Sequence, residues 1–274
     1  MRDGELIAGR FAVERLAAQG GMGVVYRAKD TLTGDHVALK VLKENTEEAD
    51  RFQREAAVLA ELRHPAIVRY VAHGIIGHGK RAYLAMEWLE GEDLSVRLAR
   101  QGLDVKEGLL LAIRVAEALA VAHARGITHR DIKPSNLFLP DGDLARVKVL
   151  DFGIARLGLA AVTMTQTGIM VGTPGYMSPE QARGDPLVDG RADVFALGCV
   201  LFECITGKRV FKRSALAQQL PPKCARERQD TPPRERVGCL SGLLHSALAS
   251  SAGSSGRGSG AGPGAGTSPI RMYL

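Results

Sequence analysis

At 274 residues, 45% hydrophobic and 24% charged, the chain has a globular composition and is long enough to bury a core. Most of its formal +6 charge lies in residues 213–274, which hold eight Lys/Arg against three Asp/Glu, so the basic balance is no argument for nucleic-acid binding. The four cysteines form no CxxC pair, the N-terminus carries Asp3 and Glu5 in place of an apolar signal core, and the longest apolar run, Val194 to Phe202, falls far short of the roughly 20 residues that cross a bilayer. A reduced, cytoplasmic setting with no membrane segment is the expectation.

In chain order, Phe11–Leu16 and Val24–Ala28 read as strands flanking a glycine turn, and His36–Leu42 as a third, rich in β-branched and apolar residues. Across residues 50–63, Phe52, Ala56, Leu59, Ala60 and Leu62 recur at helical spacing ahead of Pro65. His73 and His78 flank glycines and read as turn residues rather than metal ligands. Tyr83–Met86 reads as a buried strand leading into a Glu90-Gly91 turn. The spacing predicts a long amphipathic helix over Val105–His123, with Leu109, Ile113, Ala116, Leu119 and Ala120 along its stripe. A polar loop and a short strand over Leu137–Leu139 follow. Residues 158–190, rich in Thr, Gly and Pro, read as a long functional or mobile loop. Ala192–Ile205 is predicted as a strongly apolar helix stopped near Gly207. Beyond Phe211 the composition changes abruptly and ends in the low-complexity run SSAGSSGRGSGAGPGAGTSP, where disorder is the expectation.

Several of these elements carry residues suited to phosphate chemistry. The turn Ala18-Gln19-Gly20-Gly21-Met22-Gly23 is either an ordinary hairpin or a loop whose backbone N–H groups approach phosphate oxygens with no Cβ in the way. Lys40, at the end of Val37-Ala38-Leu39-Lys40, can reach a nucleotide's phosphates as a point charge, and Glu55 on the predicted helix can hold it. Taken singly, each is equally a solvated surface charge. The segment His129-Arg130-Asp131-Ile132-Lys133-Pro134-Ser135-Asn136 follows the long helix, and Asp151-Phe152-Gly153 comes fifteen residues after Asn136.

The glycine loop, VALK, HRDIKPSN, DFG and the later Ser178-Pro179-Glu180 occur in an order and spacing that resemble the protein-kinase signature set. The wording of GGMGVVYRA and GTPGYMSPEQA resembles bacterial serine/threonine kinases of the eukaryotic-like type, from about Arg10 to Phe211. The resemblance implies an α+β, bilobal fold. A small antiparallel β lobe with one helix would span about 10–89. A mainly helical lobe lacking its last helices would span about 90–211, ahead of an irregular tail at 212–274.

The resemblance also implies ATP and Mg²⁺. Asp131 would accept the proton of a Ser or Thr hydroxyl, and Lys133 would neutralise charge on the transferring phosphoryl group. Asn136 and Asp151 would hold Mg²⁺. Lys40 would bind the α/β-phosphates and pair with Glu55. Leu16, Gly20, Gly21, Met22, Gly23, Val25, Ala38, the gatekeeper Met86 and the backbone of Glu87 and Leu89 would surround the nucleotide, with Leu137 or a neighbour beneath the adenine. Arg130 before Asp131 implies control through the activation loop, with Thr165 and Thr167 as the phosphorylated residues, in reach of Arg130 and Arg156. Thr173 would shape the substrate site, and Asp193 would anchor the catalytic loop from below. His64 reads as a packing residue and His129 as a core histidine. Protein substrates and the chain itself are the expected partners, and a dimer through the N-terminal lobe is a further expectation.

Two departures stand out. Ala18 occupies the position of the family's first loop glycine. In residues 212–274 no sustained helical stripe is found, and Pro221, Pro222, Pro232 and Pro233 interrupt the sequence. Helices that would cover Ala192–Ile205, and an arginine partner for Glu180, are therefore not found there. The composition switch matches what out-of-frame translation or a truncated gene produces. A nucleotide-binding or scaffolding remnant without turnover is accordingly the alternative to an active enzyme. A nucleic-acid-binding role rests on tail charge alone and lacks interleaved aromatics.

Overall fold

Apolar residues alternating at period two build the N-terminal lobe. The computed structural model describes residues 3–20, 23–42, 56–77, 81–152, 175–185 and 187–211. The strands are β1 (Leu6–Ile7), β2 (Phe11–Gln19), β3 (Gly23–Asp30), β4 (His36–Leu42), β5 (Tyr70–Ile76) and β6 (Arg81–Glu87). They form one antiparallel sheet in the order β1-β2-β3-β4-β6-β5. Its outer face buries Phe11, Val13, Ala28, Val37, Leu39, Val41, Tyr83 and Ala85 in one cluster. Val25, Ala38, Leu42, Leu84 and Met86 turn inward to a cluster that continues into the second lobe. Lys40 lies between Ala38 and Leu42 in this alternation and shares the inward face. The helical residues 56–60 (α1) contribute Ala56 and Leu59 to the same inner cluster.

β5 corrects the turn expected around His73. His73 and Gly74 are strand residues paired with Leu84 and Tyr83. Gly74 is there because the Tyr83 ring lies over it; a Cβ would sit 2.8 Å from Tyr83 Cε1.

The second lobe begins at β7 (Gly91–Asp93), followed by α2 (Leu94–Arg100), α3 (Val105–His123), β8 (Leu137–Pro140), β9 (Lys148–Val149), α4 (Pro179–Ala182) and α5 (Arg191–Thr206). β7, β8 and β9 form a second, antiparallel sheet. α3 starts at a reciprocal capping box, Asp104 with Glu107. α5 ends where Gly207 takes φ 66° and its N–H reaches the Glu203 carbonyl. The two-lobed α+β arrangement implied by the resemblance is present.

The stripe expected on α3 is corrected. Leu109 and Ile113 are 48% and 55% exposed, whereas Gly108, Leu111, Val115, Ala118, Leu119 and Ala122 are buried. The helix is apolar around most of its girth, so helical spacing fits two stripes equally well. Packing against α5 and the β9 side decides which one is buried. Cys199 and Cys204 on α5 are buried free thiols, their pKa values pushed up to about 12 by burial first and then by the Glu203 charge. Among the described residues no helix is long and apolar enough to cross a membrane.

The β2–β3 hairpin is closed at its open end by a two-pronged ion pair. Arg10 Nε and Nη2 donate to Asp30 Oδ1 and Oδ2 at 2.9 and 2.6 Å, and Asp30 is fully buried. The Arg10 hydrogen bond, outweighing the opposing effect of burial, holds the Asp30 carboxyl below the usual carboxylate range. A carboxyl lowered on folding contributes stability that is full above the unfolded value of about 4 and is lost as pH falls through the folded value. In urea denaturation, Asp30→Asn is expected to be less stable than wild type at neutral pH. The gap should close in acid, below the folded Asp30 pKa; a gap independent of pH would contradict the linkage.

At the start of β7, Gly91 has φ +143°, and a Cβ there would lie 2.2 Å from the Leu139 carbonyl oxygen. Gly91→Ala is expected to lose about 2 kcal/mol or more in chemical denaturation, because strand β8 must move to admit the methyl.

Candidate active site

The site is assembled from both lobes around one buried ammonium. Lys40 pairs across the sheet with Val25 on one side and Leu84 on the other, and is 1% exposed. Its Nζ donates to Asp151 Oδ2 at 2.8 Å, across 111 residues of sequence. Asp151 follows β9 and holds φ 58°, a left-handed conformation unusual for a residue with a Cβ. Its neighbour Leu150 donates its N–H to the Asn136 carbonyl at 2.9 Å. The second carboxylate oxygen of Asp151, Oδ1, is buried with no hydrogen-bond partner among the described residues. Tyr70 stands nearby, its hydroxyl pKa raised chiefly by burial and further by the Asp151 charge, so it stays a neutral phenol.

The loop before β8 supplies the second group of polar side chains. Asp131 Oδ2 accepts from Lys133 Nζ at 2.7 Å and from Asn136 Nδ2 at 3.1 Å. Asn136 Nδ2 also donates to the Asp131 carbonyl at 2.7 Å, closing the loop on itself. His129 is buried, with its ring tilted against Phe152 at 4.8 Å. Its Nε2 meets the Leu150 carbonyl at 2.7 Å and its Nδ1 accepts the Asp131 N–H at 3.2 Å. A carbonyl only accepts and an amide only donates, so the ring carries its proton on Nε2. His129 thus ties Asp131 to the strand end that delivers Asp151, and it is a core histidine.

This loop is held from below by α5. Asp193, fully buried in the first turn, accepts the His129 N–H on Oδ2 at 2.8 Å and the Arg130 N–H on Oδ1 at 2.7 Å. His123, at the end of α3, also reaches Oδ2, at 2.7 Å. Arg130 has φ 68°. A non-glycine residue in that region costs on the order of 1–3 kcal/mol and persists only where its surroundings over-determine it. Here the Arg130 N–H is held by Asp193 and its carbonyl accepts from Gln181 Nε2 at 2.7 Å. Gln181 belongs to the Ser178–Gln181 capping box that opens α4.

Apolar residues of the two lobes meet in one core. Val25, Ala38, Met86, Leu89 and Leu137 are buried in one continuous cluster. Gly20 donates its N–H to the Gly23 carbonyl at 2.9 Å, and a Cβ on Gly23 would lie 2.3 Å from the Val41 carbonyl oxygen. At the end of β6, the Glu87 side chain accepts from the Arg69 N–H at 2.9 Å and from Lys148 Nζ at 2.8 Å, tying the strand end to both lobes. The Leu89 N–H has no hydrogen-bond partner among the described residues.

Leu16 stands apart from the other expected cleft residues. It is 52% exposed, and its cross-strand partner Tyr26 packs on the outer cluster. Ala17 and Ala18 make the inward contact at this point of β2, where the register shifts between Leu16 and Ala18. Gly21, Met22, Glu55, Arg156, Thr165, Thr167 and Thr173 lie outside the described residues. His123 and Gln181 were not anticipated as supports of the loop. The S-x-x-Q capping pattern of Gln181 is legible locally, but neither long-range contact leaves a local signal.

The protein kinase domain family matches residues 11–244. The matched stretch continues past Phe211 into residues outside the described set. The chain is 42% identical over 219 residues to the serine/threonine-protein kinase PknA of Mycobacterium tuberculosis, covering 77% of this chain and 50% of that protein. It is 42% identical over 220 residues to the serine/threonine-protein kinase Pkn1 of Myxococcus xanthus, covering 77% of this chain and 31% of that protein. It is 41% identical over 218 residues to the serine/threonine-protein kinase pkn2 of the same organism, covering 76% and 26%. The chain thus spans half the length of PknA and less of the other two.

Asp193→Asn leaves three donors facing one acceptor oxygen, because the carboxamide offers an NH₂ in place of the second oxygen. It is expected to cost about 2 kcal/mol or more. By hydrogen–deuterium exchange, the His129 and Arg130 amides should lose protection before those of α3. Protection equal to wild type at both amides would contradict their capture by Asp193.

Proposed function

The chain belongs to the protein kinase domain family, and from that membership we propose that it transfers the γ-phosphate of ATP to serine or threonine hydroxyls of proteins, itself included, in the cytoplasm. One observation carries this reading. Lys40 and Asp151 meet at 2.8 Å, and the loop in which Asp131, Lys133 and Asn136 are bonded to one another is tied to the Asp151 segment through His129 and Leu150. Family resemblance gives these residues their roles, and their convergence supports them.

Asp131 takes the proton of the substrate hydroxyl and aims its oxygen at the γ-phosphate. Lys133, already bonded to the Asp131 carboxylate, lies close enough to share its charge with the phosphoryl group in transfer. Its position after Arg130-Asp131-Ile132 and before Pro134 is the Ser/Thr form of the motif. Lys40 binds the α/β-phosphates and Glu55 holds it there. Val25 and Ala38 above and Leu137 below sandwich the adenine. The Glu87 carbonyl and the Leu89 N–H meet its polar edge, next to the gatekeeper Met86. Gly20, Gly21, Met22 and Gly23 let backbone N–H groups approach the phosphates, with Ala17 and Ala18 rather than Leu16 facing the nucleotide.

The residues present also fit Mg²⁺. Asp151 Oδ1 is buried without a hydrogen-bond partner among the described residues, and Asn136 adds an amide oxygen; hard oxygen donors suit this ion. Asp151 and Asn136 would hold it, and when bound it neutralises charge on the phosphates. Thr165 and Thr167 are the proposed autophosphorylation sites, since a phosphate there brings about −2 charge, which Arg130 and Arg156 are proposed to bind. Thr173 is proposed to shape the substrate site.

Radiolabelled ATP tests the proposal. Wild type is expected to label itself and a generic basic protein substrate, with peptide mapping placing the label on Thr165 and Thr167. Asp131→Asn and Lys40→Met should each lower incorporation by roughly 10²-fold or more. Equal labelling of wild type and Asp131→Asn, or none in wild type, would overturn it.

A further inference from the structure

Trp88 is the chain's only tryptophan. It lies in the three-residue link between β6 and β7, beside the Leu89 N–H that lacks a partner among the described residues. Next to it, β2 and β3 place Arg15 directly opposite Arg27. Like charges in a direct cross-strand pair destabilise a sheet, so this pairing needs compensation. The indole supplies it: the Arg15 and Arg27 guanidinium carbons each lie 5.5 Å from the Trp88 ring centroid. That is within the distance of about 6 Å at which a cation is attracted to an aromatic face.

The rest of the indole is also held. Its Nε1 donates to Glu90 Oε1 at 2.7 Å, and the Trp88 N–H reaches the His36 carbonyl at 3.4 Å. Glu14 draws Arg27 Nε at 3.3 Å and His36 Nε2 at 3.1 Å, joining the clamp to β4. A single register row runs Arg15, Arg27, Ala38, Met86 across four strands. The clamp on Trp88 therefore shares a row with two residues of the proposed adenine pocket.

We infer that Trp88 is a positioning residue for the nucleotide base. Gripped by Arg15 and Arg27, it fixes the peptide planes on either side of it. These planes present the Glu87 carbonyl and the Leu89 N–H, and fixing them lowers the ordering cost of binding a purine edge. The inference rests on the nucleotide-binding reading above and adds the residues that hold the link in register. No proton or bond changes hands at Trp88, so its effect falls on nucleotide affinity and not on the chemical step.

The test uses Mg-ADP as the probe, by calorimetric titration, with ATP kinetics alongside. Trp88→Leu is expected to weaken Mg-ADP binding about fivefold and to raise KM for ATP by a similar factor, with kcat within about twofold of wild type. Trp88→Phe keeps an aromatic face and should recover most of the affinity. The double variant Arg15→Gln/Arg27→Gln should weaken binding in the same direction while leaving the indole in place. In it, the Trp88 emission should respond less to Mg-ADP than in wild type. If Trp88→Leu fails to fold, as judged by circular dichroism, the arginine variant decides. Wild-type binding with unchanged affinity in the folded variants would overturn the inference alone. Absence of Mg-ADP binding by wild type would overturn it together with the nucleotide reading.

Discussion

A lysine side chain with 1% exposure has to be paired, and that requirement organises this molecule. Removing an ammonium from water costs several kcal/mol, which only a well-placed counter-charge offsets. The alternation of β4 turns Lys40 inward, so no carboxylate on the solvent side can serve. Asp151, carried on the other lobe, meets it at 2.8 Å. The first lobe therefore cannot satisfy this charge through Asp151 unless the second lobe brings β9 and its following residue alongside. This ion pair joins the two lobes.

Unfavourable backbone accompanies Asp151 and Asp131. Asp151 and Arg130 both hold positive φ, at 58° and 68°. The Arg130 conformation is held by Asp193, in the first turn of α5, and by Gln181, within a reciprocal capping box. His129 joins the two strained segments through a ring whose tautomer is set by its two partners. A loop tied at so many points has few ways to relax.

The link between the lobes is held at several points. Glu87 bonds to Arg69 on one side and to Lys148 on the other, and Lys148 lies three residues before Asp151. Trp88 is clamped by β2 and β3. Through Lys148, the link between the lobes and the segment that carries Asp151 thus share a support.

Local signals in the sequence determined much of this. The strand β4, both ends of α3 and the Gly207 stop of α5 were all legible. Each depends on residue type and spacing over short stretches, which backbone geometry reads directly. Tertiary structure alone decided which stripe of α3 faces inward, since Leu109 and Leu111 are equally apolar and only the packing of α5 separates them. It also decided that the chain continues as a strand through His73, that Ala17 and Ala18 rather than Leu16 pack on the inner cluster, and that His123 and Gln181 support the loop around Asp131. Those outcomes depend on partners tens of residues away. Burial and pairing across such distances leave no periodic trace in the local sequence.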